Sequence, residues 1–166
     1  MYQVGIVTLS DKGAKGERQD LSGPKIQELL PKDKYEVISY TMLPDDREKI
    51  RRELIRLSDE VKCDLILTTG GTGFSESDVT PEATLDIVER QVPGIPEAMR
   101  AYSMQFTKRA MLSRAAAGIR KQTLIVNFPG SPKALKESLK YILPELVHGV
   151  EILQGIAKEC AVPEEA

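Results

Sequence analysis

Between Asp64 and Glu82 the chain reads DLILTTGGTGFSESDVTPE, and several residues in this stretch have the chemistry to handle a phosphate. Gly70, Gly71 and Gly73 let the backbone turn sharply and approach a ligand with no Cβ in the way. Asp78 follows in the same loop, and an exposed carboxylate beside a phosphate-shaped turn makes sense if a divalent cation lies between them. Thr80, Pro81 and Glu82 then read as an N-cap, a first helical position and an acidic complement to the helix end. An anion near that turn would meet free backbone N–H groups. Two better-known templates are excluded. A Walker A loop ends in Gly-Lys-Ser/Thr, whereas Phe74-Ser75-Glu76 follows Gly73 here. A GxGxxG fingerprint counted from Gly71 needs glycine where Glu76 stands. A tight strand-to-helix connection without a ligand is the alternative.

The rest of the inventory narrows the chemistry. The single histidine, His148, falls in a C-terminal helical segment and reads as a helix-face residue. Zinc is therefore not expected, and a Ser-His-Asp or Cys-His mechanism would rest on that one residue. Cys63 and Cys160 have no partner at metal-ligand spacing and read as free thiols in a reducing compartment. Catalysis falls to carboxylates, lysines, backbone N–H groups and a metal. A net charge of -2 without a basic run argues against a nucleic-acid partner. The apolar stretches are strand-sized, so no membrane span is expected. The N-terminus opens into Val4-Gly5-Ile6-Val7 with no visible secretion signal, which points to the cytoplasm.

Alternating strand and helix patterns must position these residues. Gln3 to Leu9 reads as a first strand, ending in a polar loop that begins Ser10-Asp11-Lys12-Gly13. Ser22 caps a helix with Pro24 in its first turn, and Tyr35 to Leu43 is a second strand. Asp45 or Asp46 caps a charged amphipathic helix through Ile50, Leu54 and Val61, and Leu65 to Leu67 belong to the third strand, apolar enough to be buried on both faces. Helices follow Thr80 and Pro96, the second running through Met99 and Met104. Ala115 to Ile119 and Thr123 to Phe128 pair around Arg120-Lys121-Gln122, which makes one strand antiparallel. Ser131 caps a last helix that Pro144 kinks or restarts. The pattern predicts a three-layer α/β fold: a mostly parallel sheet with one antiparallel strand and helices on both faces. It forms a single domain over residues 1–160, with 161–166 as a frayed tail. In such folds ligands bind beyond the carboxyl ends of the strands, where Ser10 to Gly13, Asp45, Thr68 to Asp78 and Pro129 to Lys133 all lie.

Thr68-Thr69-Gly70-Gly71-Thr72-Gly73 followed by Asp78-Val79-Thr80-Pro81-Glu82-Ala83-Thr84 resembles the signature of the MogA/MoaB molybdenum cofactor biosynthesis family. Ser10-Asp11, Pro44-Asp45, Pro93-Gly94, Leu112-Ser113-Arg114 and Asn127-Phe128-Pro129-Gly130-Ser131-Pro132 agree in order. The match is nearer to the MogA-like branch, which is similar to the corresponding domains of plant Cnx and animal gephyrin. That branch implies transfer of AMP from Mg-ATP to the phosphate of molybdopterin, with a MoaB-like, non-catalytic molybdopterin-binding protein as the alternative. On this resemblance Asp45 and Asp78 are the catalytic aspartates and hold Mg2+. Thr69, Gly70, Gly71, Thr72 and Gly73 cradle phosphate, while Asp11, Ser113, Gly130 and Ser131 line the nucleotide and pterin pocket. A homotrimer and hand-over to a molybdate-inserting, MoeA-type enzyme are also implied. The chain departs from the family pattern in two places: Ser77, preceded by Glu76, stands where a basic residue is expected, and Lys12 replaces an arginine.

Overall fold

The computed structural model describes residues 1–157, so the expected tail at 161–166 and Cys160 lie outside the described residues. The elements run β1 (Tyr2–Leu9), α1 (Asp11–Ala14), α2 (Ser22–Leu29), β2 (Tyr35–Leu43), α3 (Arg47–Ile55), β3 (Leu65–Thr69), α4 (Thr80–Ile87), β4 (Arg90–Gln91), α5 (Gly94–Ser103), β5 (Ala117–Arg120), β6 (Thr123–Phe128) and α6 (Pro132–Leu153). They build a 6-stranded sheet in the order β2-β1-β3-β6-β5-β4. β2, β1, β3 and β6 are parallel neighbours; β5 runs against both β6 and β4, as the one antiparallel strand expected.

Side-chain alternation along the central strands sorts the core into two layers. Val4, Ile6, Leu65, Leu67, Leu124, Val126 and Phe128 pack with Ile26 of α2, Met99 of α5 and Leu135, Leu139 and Leu146 of α6. Val7, Leu9, Ile66 and Ile125 turn to the opposite face, against Ile50 and Leu54 of α3 and Ala83 and Ile87 of α4. Each fully buried aliphatic side chain contributes about 1.5–3 kcal/mol. All five residues of β3 are buried, as a strand covered on both faces requires.

Register then places the loops. Thr8 pairs with Thr69, and Thr69 with Phe128, so β1, β3 and β6 end side by side. Leu9 pairs with Leu43, which brings Pro44-Asp45 beside Ser10-Asp11.

Several local expectations are corrected. Residues Ser10 to Gly13 are not simply a loop: Ser10 caps the single turn α1 by accepting from Gly13 N. Ser22 does not cap α2; the Asp20 carboxylate accepts from Ser22 N and Gly23 N, and so satisfies the first free N–H groups. Thr80 does not cap α4, because Val79 is its N-cap and Thr80 is already inside the helix. Of the two candidates before α3, Asp46 is the cap, accepting from Lys49 N at 2.9 Å. α5 begins at Gly94, ahead of Pro96, and Met104 lies just past its end. β5 begins at Ala117 rather than Ala115, and α6 continues through Pro144 rather than restarting there.

Candidate active site

Two clefts open above the strand ends, back to back across the Gly70 to Gly73 loop. The first, about 660 Å³, is lined by Asp45, Thr69, Gly70, Gly71, Asp78, Gly130 and Ser131 together with Thr8, Arg18, Asp20 and Ser22. The second, about 510 Å³, is lined by Thr72, Gly73, Ser113 and again Ser131, with Met99, Arg100 and Leu112. The residues expected to form one site are thus shared between two hollows that meet at the glycine loop and at Ser131, except Asp11, which lines neither and reaches the first only through Asp45.

The loop holds its shape because glycine is required at its centre. Gly70 has φ +101° and Gly71 φ +68°, values in which an L side chain is strained. A Cβ on Gly70 would overlap the Leu9 carbonyl oxygen, and one on Gly71 would overlap Thr80 Oγ1. A Cβ on Gly73 would lie 2.8 Å from Asp78 Oδ2. The backbone is closed by Gly70 N to Phe128 O at 3.1 Å and by Thr80 N to Gly71 O at 3.2 Å. Thr69 Oγ1 donates to Pro129 O at 2.8 Å, and Ser22 Oγ to Gly130 O at 2.7 Å, tying the second glycine turn alongside. Beneath them the buried Asn127 is fully used. Its Nδ2 donates to Thr68 and Thr84, its Oδ1 accepts from Ala116 N, and so β3, β6 and α4 are locked together.

Asp45 and Asp11 grip each other's backbone. Asp45 N donates to Asp11 Oδ1 at 2.8 Å, and Asp11 N to Asp45 Oδ2 at 3.2 Å. Because Asp46 does the capping, Asp45 is released from that role. Its Oδ1 is buried with no partner among the described residues and lies 3.2 Å from where a Gly71 Cβ would stand. Burial pushes the Asp45 carboxyl above its ordinary value; the Asp11 N–H offsets this in part, while the charges of Asp11 and Asp78 add to the rise. A carboxylate held in this way is short of a cation. Asp20, which lines the same cleft, differs: burial alone would raise it, but hydrogen bonds from Tyr40, Gly23, Thr8 and Ser22 hold it below its ordinary value. Its partner Tyr40 is pushed up to about 12 by burial and by that carboxylate.

Asp78 is anchored by backbone. Its Oδ2 accepts from Ser75 N at 3.0 Å and its own N donates to Ser75 O at 2.9 Å. Arg114 closes the same loop from outside, donating to Gly73 O at 2.7 Å and Asp78 O at 2.6 Å while pairing with Glu82 of α4. Its own N donates to Thr72 O at 2.9 Å. The sequence signal for Arg114 was its place in the Leu112-Ser113-Arg114 motif, but its role as a clamp comes from the tertiary contacts. Arg114→Ala leaves two carbonyls and a carboxylate unsatisfied and is expected to cost about 2 kcal/mol. Calorimetry should read this as a Tm lowered by about 4–8 °C. Arg100 supports the second cleft, donating to the carbonyls of Ser113 and Ala115. Ser131 caps α6 through Ala134 N, and in this position its N-terminal neighbourhood also faces both clefts.

Among the described residues no group of three or more His, Cys, Asp and Glu is placed to hold a metal ion. Mg2+ needs no such cage, since it binds through one or two carboxylates and completes its shell with water and substrate phosphates. The unpartnered Asp45 Oδ1 and the crowding of Asp45 by Asp11 and Asp78 fit an arriving cation.

Fold and site define the class: a mainly parallel α/β domain that presents a glycine loop and two aspartates beyond its strand ends. Residues 5–148 match the family model described as "Probable molybdopterin binding domain". The chain is 40% identical over 154 residues to a molybdopterin adenylyltransferase of Helicobacter pylori, covering 92% of this chain and 88% of that one. It is 41% identical over 155 residues to the molybdopterin adenylyltransferase of Escherichia coli K12, covering 89% and 79%. The solved molybdopterin biosynthesis enzyme MoaB of Thermus thermophilus superposes with a TM-score of 0.89 at 46% identity, covering 93% of this chain and 98% of that one. The chain belongs to the MogA/MoaB molybdenum cofactor biosynthesis family.

Proposed function

We propose that the protein is a molybdopterin adenylyltransferase. The observation that carries this reading is the meeting of two clefts at one glycine loop, with Asp45 and Asp78 lining the first of them beside Gly70 and Gly71. Each cleft takes one substrate, and their phosphates meet at the loop. An oxygen of the molybdopterin phosphate attacks the α-phosphorus of ATP; that P–O bond forms as the α–β bridging bond breaks, and pyrophosphate leaves. The nucleophile belongs to the substrate, which is why a chain with a single, distant histidine suffices. Gly71 to Gly73 place backbone N–H groups against phosphate oxygens, Gly70 N being spent on Phe128 O, and the Ser131 end of α6 presents more. Asp45 and Asp78 would hold Mg2+, which neutralises charge building on the phosphates. Asp11 keeps Asp45 aimed at the loop.

The test is incubation of the purified protein with molybdopterin and Mg-ATP. Adenylylated pterin is expected, and its absence from folded protein beside a working control sinks the reading. Asp78→Asn should lower turnover by at least about tenfold with Tm nearly unchanged, since an amide oxygen can still accept from Ser75 N. A large fall in Tm would make Asp78 structural instead. The likeness to a solved MoaB favours a second reading, a pterin-binding protein without turnover. Calorimetric titration decides: pterin binding without ATP binding favours the second.

The finer expectations belong to the same proposal. The protein acts in the cytoplasm as one domain and hands the adenylated pterin to a molybdate-inserting, MoeA-type enzyme. It works as a homotrimer, a reading supported by the exposed apolar side chains of Phe106, Met111, Leu112 and Tyr141 near the second cleft. Light scattering tests it. No helix among the described residues is long and apolar enough to cross a membrane.

A further inference from the structure

The first cleft carries an imbalance of charge. Among the described residues that line it, Asp20, Asp45 and Asp78 are acidic and Arg18 alone is basic. The Asp78 loop supplies no cation, because Glu76 is acidic and Ser77 neutral, and neither lines the cleft. Arg90 and Arg109 also lack a partner for their guanidinium among the described residues, but neither lines this cleft, and Arg18 differs from the arginines that are tied down. Arg47, Arg56, Arg114 and Arg120 are each paired with a carboxylate. Arg18 is exposed, and among the described residues its guanidinium has neither an ion-pair partner nor a hydrogen-bond acceptor.

Its backbone, however, is well placed. The segment leaves α1 through Gly16 N to Gly13 O at 3.0 Å and Glu17 N to Lys12 O at 2.9 Å. Beyond Arg18 the chain is fixed at Asp20, whose carboxylate is bound by Thr8, Tyr40, Ser22 N and Gly23 N. An unpaired guanidinium is thus carried between two anchored points on the wall of a cleft whose floor is the glycine loop. A guanidinium fork matches phosphate oxygens two at a time, and a charge-assisted pair of this kind exceeds a neutral hydrogen bond.

We propose that Arg18 is the residue that takes a phosphate group of the substrate in the first cleft, fixing the anion relative to Asp45 and Asp78. The assignment rests on the cleft being a phosphate site, and it supplies from the α1–α2 segment the cation that position 77 lacks.

Wild type, Arg18→Ala, Arg18→Gln and Arg18→Lys should be titrated calorimetrically with inorganic pyrophosphate in the presence of Mg2+. KM and kcat for Mg-ATP and for molybdopterin should be measured alongside. For Arg18→Ala and Arg18→Gln, pyrophosphate affinity should fall about tenfold, as should the apparent affinity for one substrate, with kcat within about twofold. Arg18→Lys should recover part of the loss, and Tm should not move, because the side chain holds no partner in the fold. Which of the two KM values rises identifies the phosphate that Arg18 takes. Pyrophosphate affinity and both KM values unchanged in Arg18→Ala overturn the proposal while leaving the adenylyltransferase reading intact. Binding that depends on Arg18 in a protein that makes no adenylylated pterin does the reverse. A wild type that binds neither pyrophosphate nor Mg-ATP overturns both.

Discussion

Asp45→Asn is expected to remove nearly all turnover and yet make the protein more stable at neutral pH. The carboxylate is desolvated and faces the charges of Asp11 and Asp78, so its folded-state pKa lies above its unfolded value. Between those two values the native chain holds more of the proton than the unfolded chain does. Stability therefore falls as pH rises through that window, and above it the penalty is constant. Asparagine has no charge to desolvate, its amide oxygen can still accept from Asp11 N, and the bond from its own N to Asp11 is a backbone bond that the change does not touch. The variant should unfold at higher temperature than wild type above the carboxylate range, and the two curves should converge as pH falls below about 4. Turnover should drop about a hundredfold, on the scale of losing one preorganised charge contact at a phosphoryl centre. Added Mg2+ should raise the Tm of wild type more than that of the variant. A variant that is both less active and less stable at pH 7 would make Asp45 a structural residue.

Gly70→Ala should do the opposite and damage the fold first. At φ +101° an alanine is strained before any contact is counted, and its Cβ would overlap the Leu9 carbonyl oxygen, which belongs to a central strand and cannot swing aside. The Gly130 turn, whose own Cβ would lie 3.3 Å from Gly70 Cα, blocks retreat on the other side. The expected cost is about 3 kcal/mol or more, or a Tm lower by roughly 6–12 °C. Gly16→Ala is the control. It has φ +74° but nothing within 4 Å of an added Cβ, so only the conformational cost of about 1–2 kcal/mol applies. Equal losses in the two variants would show that backbone conformation alone, and not close packing at the loop, sets the cost.

Much of this architecture was legible because burial imposes periodicity. β2 falls at Tyr35–Leu43 as read, and β3 and β6 were visible as apolar runs with no room for a helix. β4 was not legible: its two exposed residues have no pattern of their own and are a strand only because β5 pairs with them. Helix starts misled for a physical reason. Ser22 and Thr80 are good capping types, but in the fold Ser22 Oγ serves the Gly130 carbonyl and the Thr80 hydroxyl is turned toward Gly71. For the site, residue type exposed the glycines and Asp78, while the family pattern singled out Asp45. Neither could show that Asp46 would free its neighbour by taking the cap, nor that a second cleft would open around Ser113. Those facts depend on register and on long-range contacts that no local window contains.

The anchoring of Asp78 bears on how this site can change over generations. Its side chain is fixed by a main-chain N–H and its main chain by Arg114, so no side chain at 76 or 77 helps to hold it. Those two positions are decoupled from the geometry of the aspartate and can drift in charge without displacing it. The glycine loop offers less latitude, because a Cβ on Gly70 would meet the Leu9 carbonyl and one on Gly71 or Gly73 would meet Thr80 Oγ1 or Asp78 Oδ2. Within a few residues the chain therefore joins a segment where a new side chain is costly with one, positions 76 and 77, where it is not.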